Sequence, residues 1–175
     1  MHKVKKYIAE DLKFSNQTIK EMKINSKKFY NKIKERRSIR EFSKDKIDIN
    51  IIKNAILSAG SAPSGANLQP WHFVVIKNKT VKKKIRIEAE KEEENFYKYK
   101  APQEWLDALT PLGTDENKKF IENAPYLIAI FEKKFSVSKN EKPFVLLILG
   151  RPDKDATVPK FAKQKKKFEE ITSIF

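Results

Sequence analysis

The sequence has no cysteine, which excludes a disulfide framework and any thiol-based catalysis. It has no apolar stretch long enough to span a bilayer. The longest apolar run, Phe144 to Leu149, fits a buried strand. The opening residues, Met-His-Lys-Val-Lys-Lys-Tyr, lack the apolar core of a secretory signal, so the expectation is a cytoplasmic protein without a membrane anchor. There is no internal repeat, no zinc-finger spacing and no aromatic RNA-binding signature. Acidic residues are the minority: 23 Asp and Glu stand against 38 Lys and Arg, a net charge of +15. Such a surface concentrates anions around it. The excess is mostly scattered lysine, densest at Lys82-Lys83-Lys84 and Lys165-Lys166-Lys167, and reads as a solvated surface rather than a nucleic-acid site.

The 175 residues suffice for one domain with a real core, and 39% hydrophobic with 35% charged residues is compatible with globular folding. The pattern predicts a helix over 14–34 with Ser15 or Asn16 as N-cap. A second helix over 51–59 is capped by Asp48 or Asn50 and lines one face with Ile51, Ile52, Ala55, Ile56 and Ala59. Residues 71–76, 126–131 and 144–149 read as strands. Val81 to Tyr99 reads as a charged helix, Lys100 to Asn117 as an irregular lid with a short helix near Trp105, and Lys118 to Asn123 as a brief helix stopped by Pro125. The tail from Gly150 reads as an extended arm followed by a Lys/Glu-rich helix. The polar link Glu132 to Pro143 is too short for a parallel crossover, so its flanking strands are expected to pair antiparallel. The fold class is α+β, a small sheet with helices packed on it.

Two runs carry chemistry. Ser61-Ala62-Pro63-Ser64-Gly65-Ala66-Asn67-Leu68-Gln69-Pro70-Trp71 is a connection of small residues in which Gly65 can take backbone angles closed to others, and a planar ligand could lie against its main-chain N–H groups. Before it, Glu35-Arg36-Arg37-Ser38-Ile39-Arg40-Glu41 places three arginines and a serine together, a set suited to phosphate oxygens. Read alone, the first run is also an ordinary loop and the second a solvated basic turn. Together, Arg-Arg-Ser-x-Arg followed by Ala-Pro-Ser-Gly-Ala-x-x-x-Pro-Trp resembles the flavin-binding opening of the nitroreductase superfamily, most closely its iodotyrosine deiodinase branch. Phe120 to Pro125, Gly150-Arg151-Pro152 and Asp155 to Pro159 extend the resemblance in the right order.

The resemblance implies a nitroreductase-like single domain, with an N-terminal helical arm over 1–35, a core over 36–149 and a C-terminal arm over 150–175. It implies an FMN-dependent oxidoreductase acting on a phenolic or nitroaromatic small molecule, with NAD(P)H or a reductase as electron donor, assembled as a homodimer through exchanged arms, with no nucleic-acid or membrane partner and no metal. Arg36, Arg37, Ser38, Ile39 and Arg40 would hold the flavin phosphate and polar edge, Pro63, Ser64 and Gly65 would lie along the ring, and Lys163 and Lys165 would stand where the family has a further basic residue. For substrate, Glu93 and Tyr97, four residues apart, with Lys118 would grip an amino-acid zwitterion, while the Ala66 N–H would meet a phenolate. The segment that in the family carries a long central helix and a Thr-x-Thr-Pro-type hydroxyl donor is missing between residues 132 and 143. No catalytic residue is therefore assigned, and a flavin-binding remnant without turnover, or a basic nucleic-acid-binding protein, are the alternatives.

Overall fold

The computed structural model describes residues 9–12, 15–132, 142–160, 162 and 165–174. The chain forms two units, residues 1–37 and 38–175, each taken by itself.

The first unit holds helix α1 (Ile19–Lys34). Its start is a capping box: the Thr18 side chain accepts from the Glu21 N–H, and Glu21 accepts from the Thr18 N–H at 2.7 Å. That bond holds the Glu21 carboxyl below its ordinary range. Helix start therefore falls at Thr18 rather than Ser15 or Asn16, because only Thr18 has a glutamate three residues on. At the other end Arg37 donates to the carbonyls of Lys34 and Arg36 at 2.6 and 2.8 Å, occupying backbone acceptors that the helix leaves open. The helix buries no residue.

The second unit is built on a three-stranded sheet of order β1 (Trp71–Ile76), β2 (Tyr126–Glu132) and β3 (Lys142–Leu149), all antiparallel. The short link between β2 and β3 enforces the antiparallel pairing expected from its length. The register sets Ile128 opposite Val75 and Leu147, and Leu127 opposite Ile76 and Ile148, so successive residues of β2 face opposite layers. One face carries Tyr126, Ile128, Ile130 and Phe73 and packs on helix α2 (Ile49–Gly60) through Ile52 and Ile56. The other carries Leu127, Ile76 and Ile148 and packs on helices α3 (Lys79–Asn95) and α5 (Lys119–Asn123) through Ile85, Ala89 and Ile121. Leu127 is wholly buried, worth about 1.5–3 kcal/mol of transfer free energy. Among the described residues no strand pairs with the outer side of β3, and Phe144 there is 80% exposed.

Asp48 caps α2, accepting from the Asn50 N–H at 2.7 Å. After α3, the backbone makes a π turn over Phe96–Lys100, with the Ala101 N–H reaching the Phe96 carbonyl at 2.8 Å, and α4 (Gln103–Leu109) follows. The C-terminal segment runs along residues 41–45: Ser43 N–H donates to the Arg151 carbonyl at 2.9 Å and Asp153 N–H to the Glu41 carbonyl at 3.0 Å. A Cβ on Gly150 would lie 2.3 Å from the Phe42 ring, so this position requires glycine. The expected Lys/Glu-rich tail helix is reduced to one turn at Phe168–Glu170 among the described residues. The described apolar residues of this charged segment, Phe168, Ile171 and Ile174, are exposed, and so short a helix without buried contacts does not extend further.

Candidate functional site

The lysines of α3 crowd its first turns and the glutamates its last, opposite to what the helix dipole favours. Ion pairs offset this. Glu94 meets Lys98 at 2.5 Å, a hydrogen bond that lowers the Glu94 carboxyl and raises the Lys98 ammonium. Arg86 pairs with Glu90 one turn on. Local preference is thus set aside so that carboxylates stand at the helix end, where a site is built.

That site is a cavity of about 430 Å³. Glu92 and Glu93 from the end of α3, Tyr97 from the π turn, Trp105 and Leu109 from α4, and Arg40, Thr114 and Lys118 line it. A single π turn placed at a cavity re-aims the side chains that follow a helix, and here it carries Tyr97 over. Lys118 Nζ lies 3.0 Å from Glu93 Oε2, and the lysine side chain is only 12% exposed. Lys118 also donates to the Asp115 carbonyl. Among the described residues Thr114 Oγ1 is buried without a hydrogen-bond partner, so its hydroxyl is open to a ligand or a water. Glu93, Tyr97 and Lys118, separate in sequence, meet in one place. Phe96, Trp105, Leu109 and Thr114 were not singled out from sequence. The lid-like reading of 100–117 was the one signal that this segment covers something.

Arg40 faces this cavity and also a groove of about 700 Å³ that includes Ser38, Lys119, Thr157 and Pro159. Its guanidinium lies over the Phe120 ring, 5.7 Å from the centroid. Of the residues expected to hold a flavin, Ser38 and Arg40 therefore share a groove with the C-terminal Thr157-Val158-Pro159. Ile39 is half-buried between them in sequence. Pro63, Ser64, Gly65 and Ala66 line neither cavity. Arg36 and Arg37 belong to the first unit. Lys165 is exposed, and Lys163 lies outside the described residues.

The 61–70 connection departs from expectation in one respect. Gly65 does not take a positive φ; the left-handed positions are Ala66 (φ 50°), Asn67 (φ 53°) and Gln69 (φ 45°). Asn67 N–H to the Ser64 carbonyl at 3.0 Å, Leu68 N–H to the Gly65 carbonyl at 3.1 Å and Gln69 N–H to Ser64 Oγ at 2.9 Å shape this turn. The Ala66 N–H takes no part in those bonds. Alanine in this conformation is uncommon and such strain gathers at ligand-binding positions.

The sequence profile of the Nitroreductase family matches residues 33–151, and the chain belongs to that family. It is 46% identical over 117 residues to an iodotyrosine deiodinase of Haliscomenobacter hydrossis, covering 67% of this chain and 53% of that protein. To an iodotyrosine deiodinase of Hydra vulgaris it is 43% identical over 120 residues, 69% of this chain and 44% of that one. The chain spans about half the length of the curated relatives it matches. Its fold is similar to that of an oxidized iodotyrosine deiodinase crystallised with FMN and 3-iodo-L-tyrosine: TM-score 0.68, 24% identity, covering 83% of this chain and 97% of the other. The fold is also shared with an FMN-bound nitroreductase of Bacteroides fragilis, with TM-score 0.57 at 16% identity. No helix among the described residues is long and apolar enough to cross a membrane, and no group of residues there could hold a metal ion.

Proposed function

We propose that this chain is an FMN-dependent oxidoreductase whose substrate is a halotyrosine-like phenol held by its amino-acid end. The observation that carries the reading is the Glu93–Lys118 pair at 3.0 Å beside Tyr97 in a cavity of about 430 Å³, within a Nitroreductase-family chain. A carboxylate and an ammonium side by side offer complementary partners to the ammonium and carboxylate of a free amino acid, and Tyr97 offers a ring and a hydroxyl. Leu109 and Trp105 give the ligand's ring an apolar surround.

The residues present fit FMN. Arg40, Lys119 and the Ser38 hydroxyl offer donors in a groove that Glu41 and Asp115 also line, of a size usual for cofactor sites. Ser38 and Arg40 would hold the phosphate or the ring's polar edge; Arg36 and Arg37, just before them in the chain, are assigned to the same group on sequence alone, as are Lys163 and Lys165. Pro63, Ser64 and Gly65 would lie along the ring, and the Ala66 N–H would face the substrate phenolate. The flavin supplies the electron transfer, with NAD(P)H or a partner reductase as donor. This chain's residues bind, orient and exclude water around the ring. Exposed apolar residues on α1 (Ile19, Phe29, Ile33) and on the tail (Phe168, Ile171) support a homodimer through the arms, in a cytoplasmic setting. The short link between residues 132 and 143, which leaves no room for the family's hydroxyl-bearing segment, favours as a second reading a flavin-binding protein without turnover.

FMN fluorescence titration tests the cofactor. Arg40→Ala should weaken binding by roughly 1.5–3 kcal/mol, the cost of a charge-assisted hydrogen bond. Equal affinity of variant and wild type would contradict the assignment. Adding 3-iodo-L-tyrosine to the loaded protein then separates the two readings. Release of iodide under a reductant supports the enzyme; tight flavin without iodide release supports the binding protein.

A further inference from the structure

The helix α5 has five residues, too few to stand alone, yet Lys118 at its start is held where it meets Glu93. One stripe of α3, spaced about a turn apart, accounts for this. Lys82 Nζ donates to the Ala124 carbonyl at the far end of α5. Arg86 Nε donates to Glu122 Oε2 at 2.8 Å, and its Nη1 to Glu90 Oε2. The second Glu90 oxygen, Oε1, accepts the backbone N–H of Lys118 at 3.0 Å. One turn further, Glu93 takes the Lys118 ammonium. Arg86 is largely buried at 17% exposure, and its hydrogen bond to Glu122, with Glu90 adding to it, raises its basicity further.

We propose that Arg86 and Glu90 are positioning residues, which hold the Lys118 backbone so that its ammonium is set against Glu93. Neither side chain lines the 430 Å³ cavity. Glu90 holds the Lys118 amide directly. Arg86 fixes Glu90 by using its guanidinium as a brace between Glu90 on α3 and Glu122 on α5. A planar fork can serve two carboxylates in fixed directions, which a lysine ammonium at the same place cannot do. The inference rests on the zwitterion reading of the clamp for its functional meaning, while the pinning itself is a separate, measurable property.

The experiment is amide hydrogen exchange on the full chain, reading Lys118 against the core amide of Leu127, in wild type, Glu90→Ala, Arg86→Gln and Arg86→Lys. Titration of the FMN-loaded proteins with 3-iodo-L-tyrosine and with 2-iodophenol accompanies it. Glu90→Ala is expected to speed exchange at Lys118 and weaken iodotyrosine by about tenfold each, leaving Leu127 exchange, FMN and iodophenol affinities unchanged. Arg86→Gln should do the same to a smaller extent, and Arg86→Lys should restore only part. Exchange at Lys118 and Leu127 rising together, or at neither, overturns the proposal, as does equal loss of iodotyrosine and iodophenol. Should a variant fold poorly, Glu122→Gln, which removes the brace's far end and spares Glu90, must still speed Lys118 selectively. A wild type that takes FMN but no iodotyrosine, with exchange at Lys118 still selective, sustains the pinning and defeats the substrate reading instead.

Discussion

The cavity at the end of α3 and the connection 61–70 are made in opposite ways. In the first, charged side chains from α3 and the start of α5 close on one another: Glu93 has Lys118, and the Lys118 backbone has Glu90. In the second, the backbone does the shaping, three non-glycine residues sit at positive φ, and the Pro63, Gly65 and Ala66 positions are exposed. A side-chain clamp resists change until a charge is removed. A backbone cradle holds its positive φ angles through the hydrogen bonds that Ser64 and Gly65 accept, and it tolerates little change of residue shape.

The largest effect is expected on the clamp. Lys118→Met leaves the Glu93 carboxylate without its cation and should cost roughly 2–5 kcal/mol of iodotyrosine affinity by calorimetry, with FMN affinity retained. Loss of both affinities in equal measure would erase the distinction between the two regions. Next is Gly150→Ala, which drives a methyl into the Phe42 ring beside the strand-like contact of residues 41–45 with 151–153. Overpacking of this kind should lower unfolding free energy by about 1–3 kcal/mol in urea titration, and more for larger residues. The smallest effect is in the cradle. Ala66→Gly relieves a left-handed alanine at the cost of a freer unfolded chain, so stability should shift by less than about 1 kcal/mol, whereas Ala66→Val, branched at Cβ, should cost about 1–3 kcal/mol. Equal melting of the two variants would show that the positive φ carries no strain.

The strands and the antiparallel hairpin were legible because apolar runs bounded by Pro70, Pro125 and Gly150 leave little choice, and because the length of a link dictates which way its strands run. That Glu93, Tyr97 and Lys118 stand around one cavity was expected from the family resemblance; spacing alone left Glu93 as one carboxylate in a charged helix. Three features were not. The left-handed angles fall on Ala66 rather than Gly65 because Ser64 gathers the N–H groups of Asn67 and Gln69, a choice made by hydrogen bonds and not by residue preference. Glu90 acts on a backbone N–H, which leaves no mark on the residue it serves. The extra wall of the cavity, Trp105 and Leu109 from the short helix α4 with Thr114 beyond it, comes from elements too short for periodicity to say which way they face.

The open outer strand β3 has a consequence in solution. Among the described residues it presents Phe144, Val145 and Leu147 to water and backbone groups with no strand partner on that side, the usual template for strand-to-strand association. The +15 charge of the chain opposes the approach of two such edges, and it acts at a distance only as far as salt permits. The screening length is about 10 Å at 0.1 M and about 3 Å at 1 M, so added salt uncovers the edge instead of dissolving the protein. Solubility should fall as ionic strength rises, and the buffer, as much as the sequence, decides how long the chain stays dispersed.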